Sequence, residues 1–235
     1  MNYFICVGHA YYDNGSISSA DGTKYGGVNE YKYNKELAPY IVKWLEKAGH
    51  KATLCIAPEK RFNDLNDEIN YFIGEEHKQN YDLAVQLHLN AFNQQAYGCE
   101  AYAYNSAGLK FAQDICTKLG TVWKNRGAQI RTGLYWTRKT KAKAVLIESF
   151  FCDYKPDCDK AKKLGFDAHG KLIAEGMIGQ DIKSEVAPPV FSDGEESDVL
   201  YRVQLGAYKN KANALEMVAK AKKAGLDAII KTEKA

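Results

Sequence analysis

Four residues far apart along the chain carry side chains suited to hydrolysis at a metal. They are His9 after the stretch "NYFICVG", Glu30 in "GGVNEYKYNKELAPYI", His88 closing the run "LAVQLH", and Glu148 inside "KAVLIESFF". Two neutral imidazoles and one carboxylate from separate elements form a three-ligand set that leaves a fourth position for water. An ion so held keeps net positive charge, which acidifies that water and polarises a carbonyl. Glu148 raises a different question. A run as apolar as 143–151 reads as a buried strand, where an unpaired carboxylate costs several kcal/mol. Either Glu148 turns to water at the strand's end, or it faces a cation and works as an acid–base group. Each residue alone also has a plainer reading. A histidine at a strand end is often a hydrogen-bonded structural residue, and a glutamate at a helix start often serves the macrodipole. No HExxH or Cys-rich spacing fixes a metal locally.

The elements that must position these residues alternate through the first 180 or so positions. Short stretches rich in Val, Ile, Leu and Tyr predict strands at 2–8, 51–57, 82–88, 99–104 and 143–149. Between them, apolar residues recur at helical spacing: Leu37, Ile41, Trp44, Leu45 and Ala48, closed by Gly49; Leu65, Ile69, Phe72 and Ile73; Leu109, Ala112, Ile115, Cys116, Leu119 and Trp123. A last helix carries Leu172, Ile173 and Met177. Alternating strands and helices imply an α/β fold, a mainly parallel sheet covered by helices on both faces. In such sheets function gathers at the carboxyl ends of the strands, where His9 and His88 fall.

Composition changes at 183–198, "KSEVAPPVFSDGEESD", which has linker chemistry. A domain over 1–182 is therefore followed by a linker and a small βαβ module over 199–235, with strands at 200–208 and 226–232 flanking a helix at 211–224. So short a module supplies little core of its own and calls for a partner. On its first strand Arg202, Gln204 and Tyr208 share a face, suited either to solvation or to stacking on sugars and bonding their hydroxyls. Eight Lys/Arg against three Asp/Glu in the module favour an anionic surface.

The whole chain has 235 residues and a net charge of +3, too small to argue for nucleic acid, and no apolar run is long enough to span a membrane. Six cysteines without a CxxC pair suit buried free thiols in a reducing compartment, although Cys152 and Cys158 are spaced closely enough to pair. The amino terminus enters a strand at once, so the expectation is a chain made in the cytoplasm without a signal peptide and kept there until released.

The order of motifs resembles the zinc-dependent N-acetylmuramoyl-L-alanine amidases of the third amidase type. A strand leads into Gly-His ("FICVGHA"), and a Gly-rich loop leads to a Glu that starts a helix ("YGGVNEYKYNKELAPYI"). An Arg-containing helix then precedes a strand ending in His-x-Asn-Ala ("AVQLHLNA"), and a late strand carries a Glu followed by aromatics ("AVLIESFFCDYKPD"). The resemblance implies one zinc ion held by His9, Glu30 and His88, Glu148 as the catalytic base and acid, and hydrolysis of the amide between the lactyl group of N-acetylmuramic acid and L-alanine. The chain departs from the family's pattern at Ala10-Tyr11, Ser149 and Cys152, and in the length of loop 10–29. Asn90 and Asn93 either contact substrate or form turns. A zinc peptidase acting on the stem peptide, or a wall-binding protein with an inactive body, are the alternatives.

The segment "LYRVQLGAYKNKANALEMVAKAKKAGLDAII" resembles one half of the sporulation-related (SPOR) wall-binding repeat. The implied partner is bacterial peptidoglycan, with Arg202, Gln204 and Tyr208 as the wall-binding face. A half module leads to the expectation of a homodimer through 199–235, aided by a tail-only fragment starting at Met177. Without a signal peptide, the resemblance implies a phage endolysin that reaches the wall through a membrane lesion.

Overall fold

A computed structural model describes residues 1–183 and 210–223, together with Ile230 and Thr232. The chain divides into two compact units, Met1–Ser184 and Glu185–Ala235.

The first unit is built on a six-stranded sheet of order β2-β1-β3-β6-β4-β5. The strands are β1 (Asn2–Val7), β2 (Lys51–Cys55), β3 (Leu83–Asn90), β4 (Cys99–Ala103), β5 (Asn125–Ile130) and β6 (Lys143–Phe151). β2, β1, β3 and β6 run parallel, while β4 lies antiparallel to β6 and carries β5 parallel to itself. The mainly parallel sheet read from the sequence is present, with one reversal that the pattern did not disclose. β5, "NRGAQI", was not anticipated either. It is an edge strand with Gly127 at φ +95°, and an edge needs little apolar content to pair on one side.

Alternation sorts the sheet's two faces. Ile5, Val7, Val85, Leu87, Ala101, Val145 and Ile147 enter the larger core, under α1 (Glu30–Lys47), α3 (Ser106–Leu119) and α6 (Phe166–Ile178). Phe4, Cys6 and Ala84 enter a smaller core with Phe62, Phe72, Ile73 and Trp136, contributed in part by α2 (Leu65–Glu76) and α4 (Tyr135–Lys139). Side chains on a strand point to opposite faces in turn, so His88 and Glu148 share the face of the smaller core. α5 (Lys155–Leu164) opens with a Pro in its first turn, a position that needs no intrahelical N–H.

All six cysteines are buried free thiols, and the Cys158 thiol donates to the Cys152 carbonyl oxygen at 3.3 Å. No described helix is long and apolar enough to cross a membrane. In the second unit a helix, α7, spans Lys211–Lys223. The expected strands at 200–208 and 226–232, the linker and the candidate wall-binding residues Arg202, Gln204 and Tyr208 lie outside the described residues, apart from Lys183, Ile230 and Thr232.

Candidate active site

His9 follows β1 in the left-handed region, φ +72°, which turns its ring out of the strand line. His88 lies near the carboxyl end of neighbouring β3. Glu30 is the first residue of α1, whose Asn29 cap accepts from the Lys32 N–H at 3.1 Å. These three elements bring His9 Nε2, His88 Nδ1 and Glu30 Oε1 into a triangle with edges of 2.9, 3.0 and 3.1 Å. One proton between two nitrogens and a carboxylate oxygen cannot satisfy three edges, whereas a cation at the centre can. Tetrahedral zinc with bonds of about 2.0–2.1 Å sets its ligand atoms about 3.3 Å apart, close to these edges. The donor set therefore fits the ion that the sequence motifs imply.

The remaining atoms of the trio are anchored. Glu30 Oε2 accepts from the Ala20 N–H at 3.0 Å, and Oε1 also accepts from the Leu89 N–H at 3.0 Å. His9 Nδ1 lies 3.2 Å from Ser18 Oγ, which donates to Glu68 Oε2 at 2.8 Å. This Ser18–Glu68 support was not legible in the sequence, because it depends on how loop 10–29 folds back. It is the outer-sphere arrangement that fixes the tautomer of a ligating histidine. His88 Nε2 is buried without a partner, against Gly8.

Charge follows from these contacts. Burial alone would raise the Glu30 carboxyl, but hydrogen bonds from His88 and His9, and their charges, hold it well below the usual carboxylate range. Burial depresses the His88 imidazole against the pull of Glu30, which favours the neutral, lone-pair form. On His9 the lowering effect of burial is outweighed by Glu30 and Glu68, so that imidazole is raised.

Glu148 answers the question its sequence setting posed. It pairs in register with His88 on β3 and with Glu100 on β4, so these three side chains lie in a row across the sheet. Its Oε2 is enclosed without a hydrogen-bond partner. Burial pushes its carboxyl well above the ordinary value, the charges of Glu30 and Glu100 push the same way, and Arg131 opposes them. Glu148 is half-buried, with that oxygen turned inward rather than to solvent. A carboxyl so placed beside three converging ligand atoms can exchange a proton with whatever binds there.

The two asparagines differ. Asn90 Nδ2 donates to Glu100 Oε1, so it braces the row. Asn93 Oδ1 accepts from the Gln95 and Ala96 N–H groups at 3.1 and 2.9 Å, a turn. Glu100 was not anticipated; its position in the apolar strand "CEAYA" was the available signal, the same one that drew attention to Glu148. Gly22 and Gly27 close the long loop over the Cys152 carbonyl, where an added Cβ at either would come within 1.9 Å of the oxygen.

Comparison with known proteins agrees with this geometry. A family model described as N-acetylmuramoyl-L-alanine amidase matches residues 4–178, and one described as SPOR domain matches 197–235. Among solved structures, the catalytic domain of the CD27L endolysin targeting Clostridia difficile is 49% identical. It has a TM-score of 0.75 and covers 78% of this chain and 99% of that one. Cwp6 from Clostridium difficile is 25% identical with a TM-score of 0.63, over 76% of this chain and 28% of its own. The amidase CwlM of Bacillus licheniformis is 29% identical over 154 residues, 63% of this chain and 56% of its own. An uncharacterised Clostridium perfringens protein, CPE1502, is 29% identical over 74% of this chain and 52% of its own. The chain thus spans about half the length of these last two relatives.

Proposed function

The chain belongs to the N-acetylmuramoyl-L-alanine amidase family, and from that premise we propose that it is a peptidoglycan hydrolase cleaving the amide between the lactyl group of N-acetylmuramic acid and L-alanine. The observation that carries this reading is the triangle of His9, Glu30 and His88 donor atoms with Glu148, one carboxyl oxygen enclosed, in register beside His88. His9 Nε2, Glu30 Oε1 and His88 Nδ1 would hold the zinc ion. When bound, zinc supplies Lewis-acid polarisation of the amide carbonyl and acidification of water. Glu148 accepts a proton from the attacking water at its carboxylate. It then returns that proton to the L-alanine nitrogen as the carbon–nitrogen bond breaks, leaving a free lactyl carboxylate and a free amine. Ser18 and Glu68 keep the His9 ring oriented throughout.

The SPOR match supports wall binding by the second unit, with Arg202, Gln204 and Tyr208 as its contacts. Pairing of two such tails into a homodimer extends this reading, and an internal start at Met177 would supply free tails. That start would leave all of α6 but its last two residues, Met177 and Ile178, behind. The protein would reach the wall from the cytoplasm after release, as an endolysin does. The similarity to an endolysin catalytic domain supports this placement.

The deciding experiment follows turbidity loss and new amino termini from purified peptidoglycan. It compares wild type with Glu148→Ala, with and without a chelator. Release of L-alanine amino termini that needs both Glu148 and metal is the expected result. Amino termini from within the stem peptide would make it a peptidase, and binding without release would make it a wall-binding protein. Sedimentation at micromolar concentration tests the dimer; a monomer refutes it. Mass spectrometry tests the internal start, which fails if no fragment of 177–235 is found.

A further inference from the structure

The face that carries His88 and Glu148 continues along β4. Cys99 and Ala101 point into the larger core, so Glu100 and Tyr102 lie on the other side, in line with Glu148. Two arginines reach this strip, and their situations differ. Arg126 Nε donates to Glu100 Oε2 at 3.1 Å, so its charge is used. Arg131 is exposed, and no carboxylate pairs with it among the described residues. It is nonetheless held in place. Its backbone N–H donates to the Ala103 carbonyl at 2.9 Å, and its guanidinium lies 4.0 Å from the centroid of the Tyr102 ring. A guanidinium held over a ring face keeps its N–H edges available, the presentation suited to a bidentate carboxylate. Its charge also reaches Glu148 and Tyr102.

Distance indicates which part of a substrate would meet it. Tyr102 pairs with Leu146, two residues before Glu148 on β6, a separation of about 7 Å along the strand. An extended peptide covers about the same length in two residues. On the glycan side of the scissile amide the lactyl carboxyl is consumed in the bond itself, so a free carboxylate at this distance belongs to the peptide side. We propose that Arg131, stacked on Tyr102, is a specificity residue that binds the free α-carboxylate of the peptide residue following L-alanine. The proposal rests on the amidase reading above. It makes the enzyme selective between walls whose stem peptides keep that carboxylate and walls in which it is a carboxamide.

The test uses the full-length, zinc-loaded protein on two soluble probes. These are an N-acetylmuramoyl-L-alanyl peptide with a free α-carboxyl on its second residue, and the same compound with that carboxyl amidated. Wild type should prefer the free acid in kcat/KM by about 10- to 100-fold, the range expected when a charge-assisted contact is lost. Arg131→Ala should erase that preference through KM with zinc content unchanged, and because the charge of Arg131 also reaches Glu148, any change in kcat should be alike on both probes. Arg131→Lys, which keeps the charge without the fork and serves if the alanine variant does not fold, should retain an intermediate preference. A preference intact in Arg131→Ala or Arg131→Lys, or one lost with KM on the free acid unchanged, overturns the assignment. Failure of wild type to release the amine of L-alanine from either probe refutes the amidase reading instead, and is visible before any variant is compared.

Discussion

Gly8→Ala tests the candidate metal centre without replacing any of its proposed ligands. A Cβ built there falls 2.4 Å from His88 Cε1, 2.5 Å from His88 Nε2 and 2.8 Å from the Leu87 carbonyl oxygen. Ordinary contacts begin at 3.4 Å, so in Gly8→Ala the His88 ring must retreat by about 1 Å. The obstacle is contact alone, because Gly8 is not among the positive-φ glycines. The ligand atoms stand only 2.9 to 3.1 Å apart, and a shift of that size removes His88 Nδ1 from the triangle. The expected cost is about 10- to 100-fold in zinc affinity and about 100-fold in kcat/KM, with a stability loss of about 1–3 kcal/mol from overpacking. Zinc competition against a fluorescent chelator measures the first, amine release from soluble wall fragments the second, and thermal unfolding the third. Gly74→Ala in α2 is the control, since no atom lies within 4 Å of its added Cβ; it should leave zinc binding and turnover unchanged. Wild-type zinc affinity and rate in Gly8→Ala would refute the seating of His88 against Gly8, and with it the geometry proposed for the metal.

Three further outcomes are expected. Glu148→Gln should cost about 10²- to 10⁴-fold in kcat while zinc content stays at wild-type level, read by metal analysis and turnover; loss of zinc would make Glu148 a ligand instead. His169 is buried with its Nδ1 3.0 Å from the Tyr33 hydroxyl, and burial lowers its imidazole to about 3. Because that value lies below the unfolded one near 6.5, the stability it contributes is present above about pH 6.5 and is lost as pH falls towards 3. Urea unfolding should therefore show about 2 kcal/mol less stability at pH 5 than at pH 7.5, a difference that His169→Gln removes; an equal difference in the variant refutes the attribution. Truncation after Ser184 should keep turnover on soluble wall fragments but weaken pelleting with whole wall, and unchanged pelleting would deny the second unit its wall-binding role.

The sequence by itself determined the strands that carry the candidate ligands and the residue types offered there. A run such as "LAVQLHLN" states its own burial by composition, and a histidine or glutamate in or beside such a run is costly unless it has a partner. Hence His9, Glu30, His88 and Glu148 all stood out as candidates, and the order of motifs gave each its implied role. The edge strand β5 was not, because an exposed edge carries no apolar signal to read. Nor were the reversed direction of β4, the Ser18–Glu68 support of His9, or the placing of Arg131 over Tyr102. Each depends on which strands become neighbours and how a loop returns, and those are set by packing between segments far apart in sequence. Local composition dictates what a side chain requires of its surroundings. Only the tertiary structure decides which distant group meets that requirement: the triangle at Glu30 depends on β1, β3 and α1 arriving within 3.1 Å of one another's side chains, and no single segment encodes that distance.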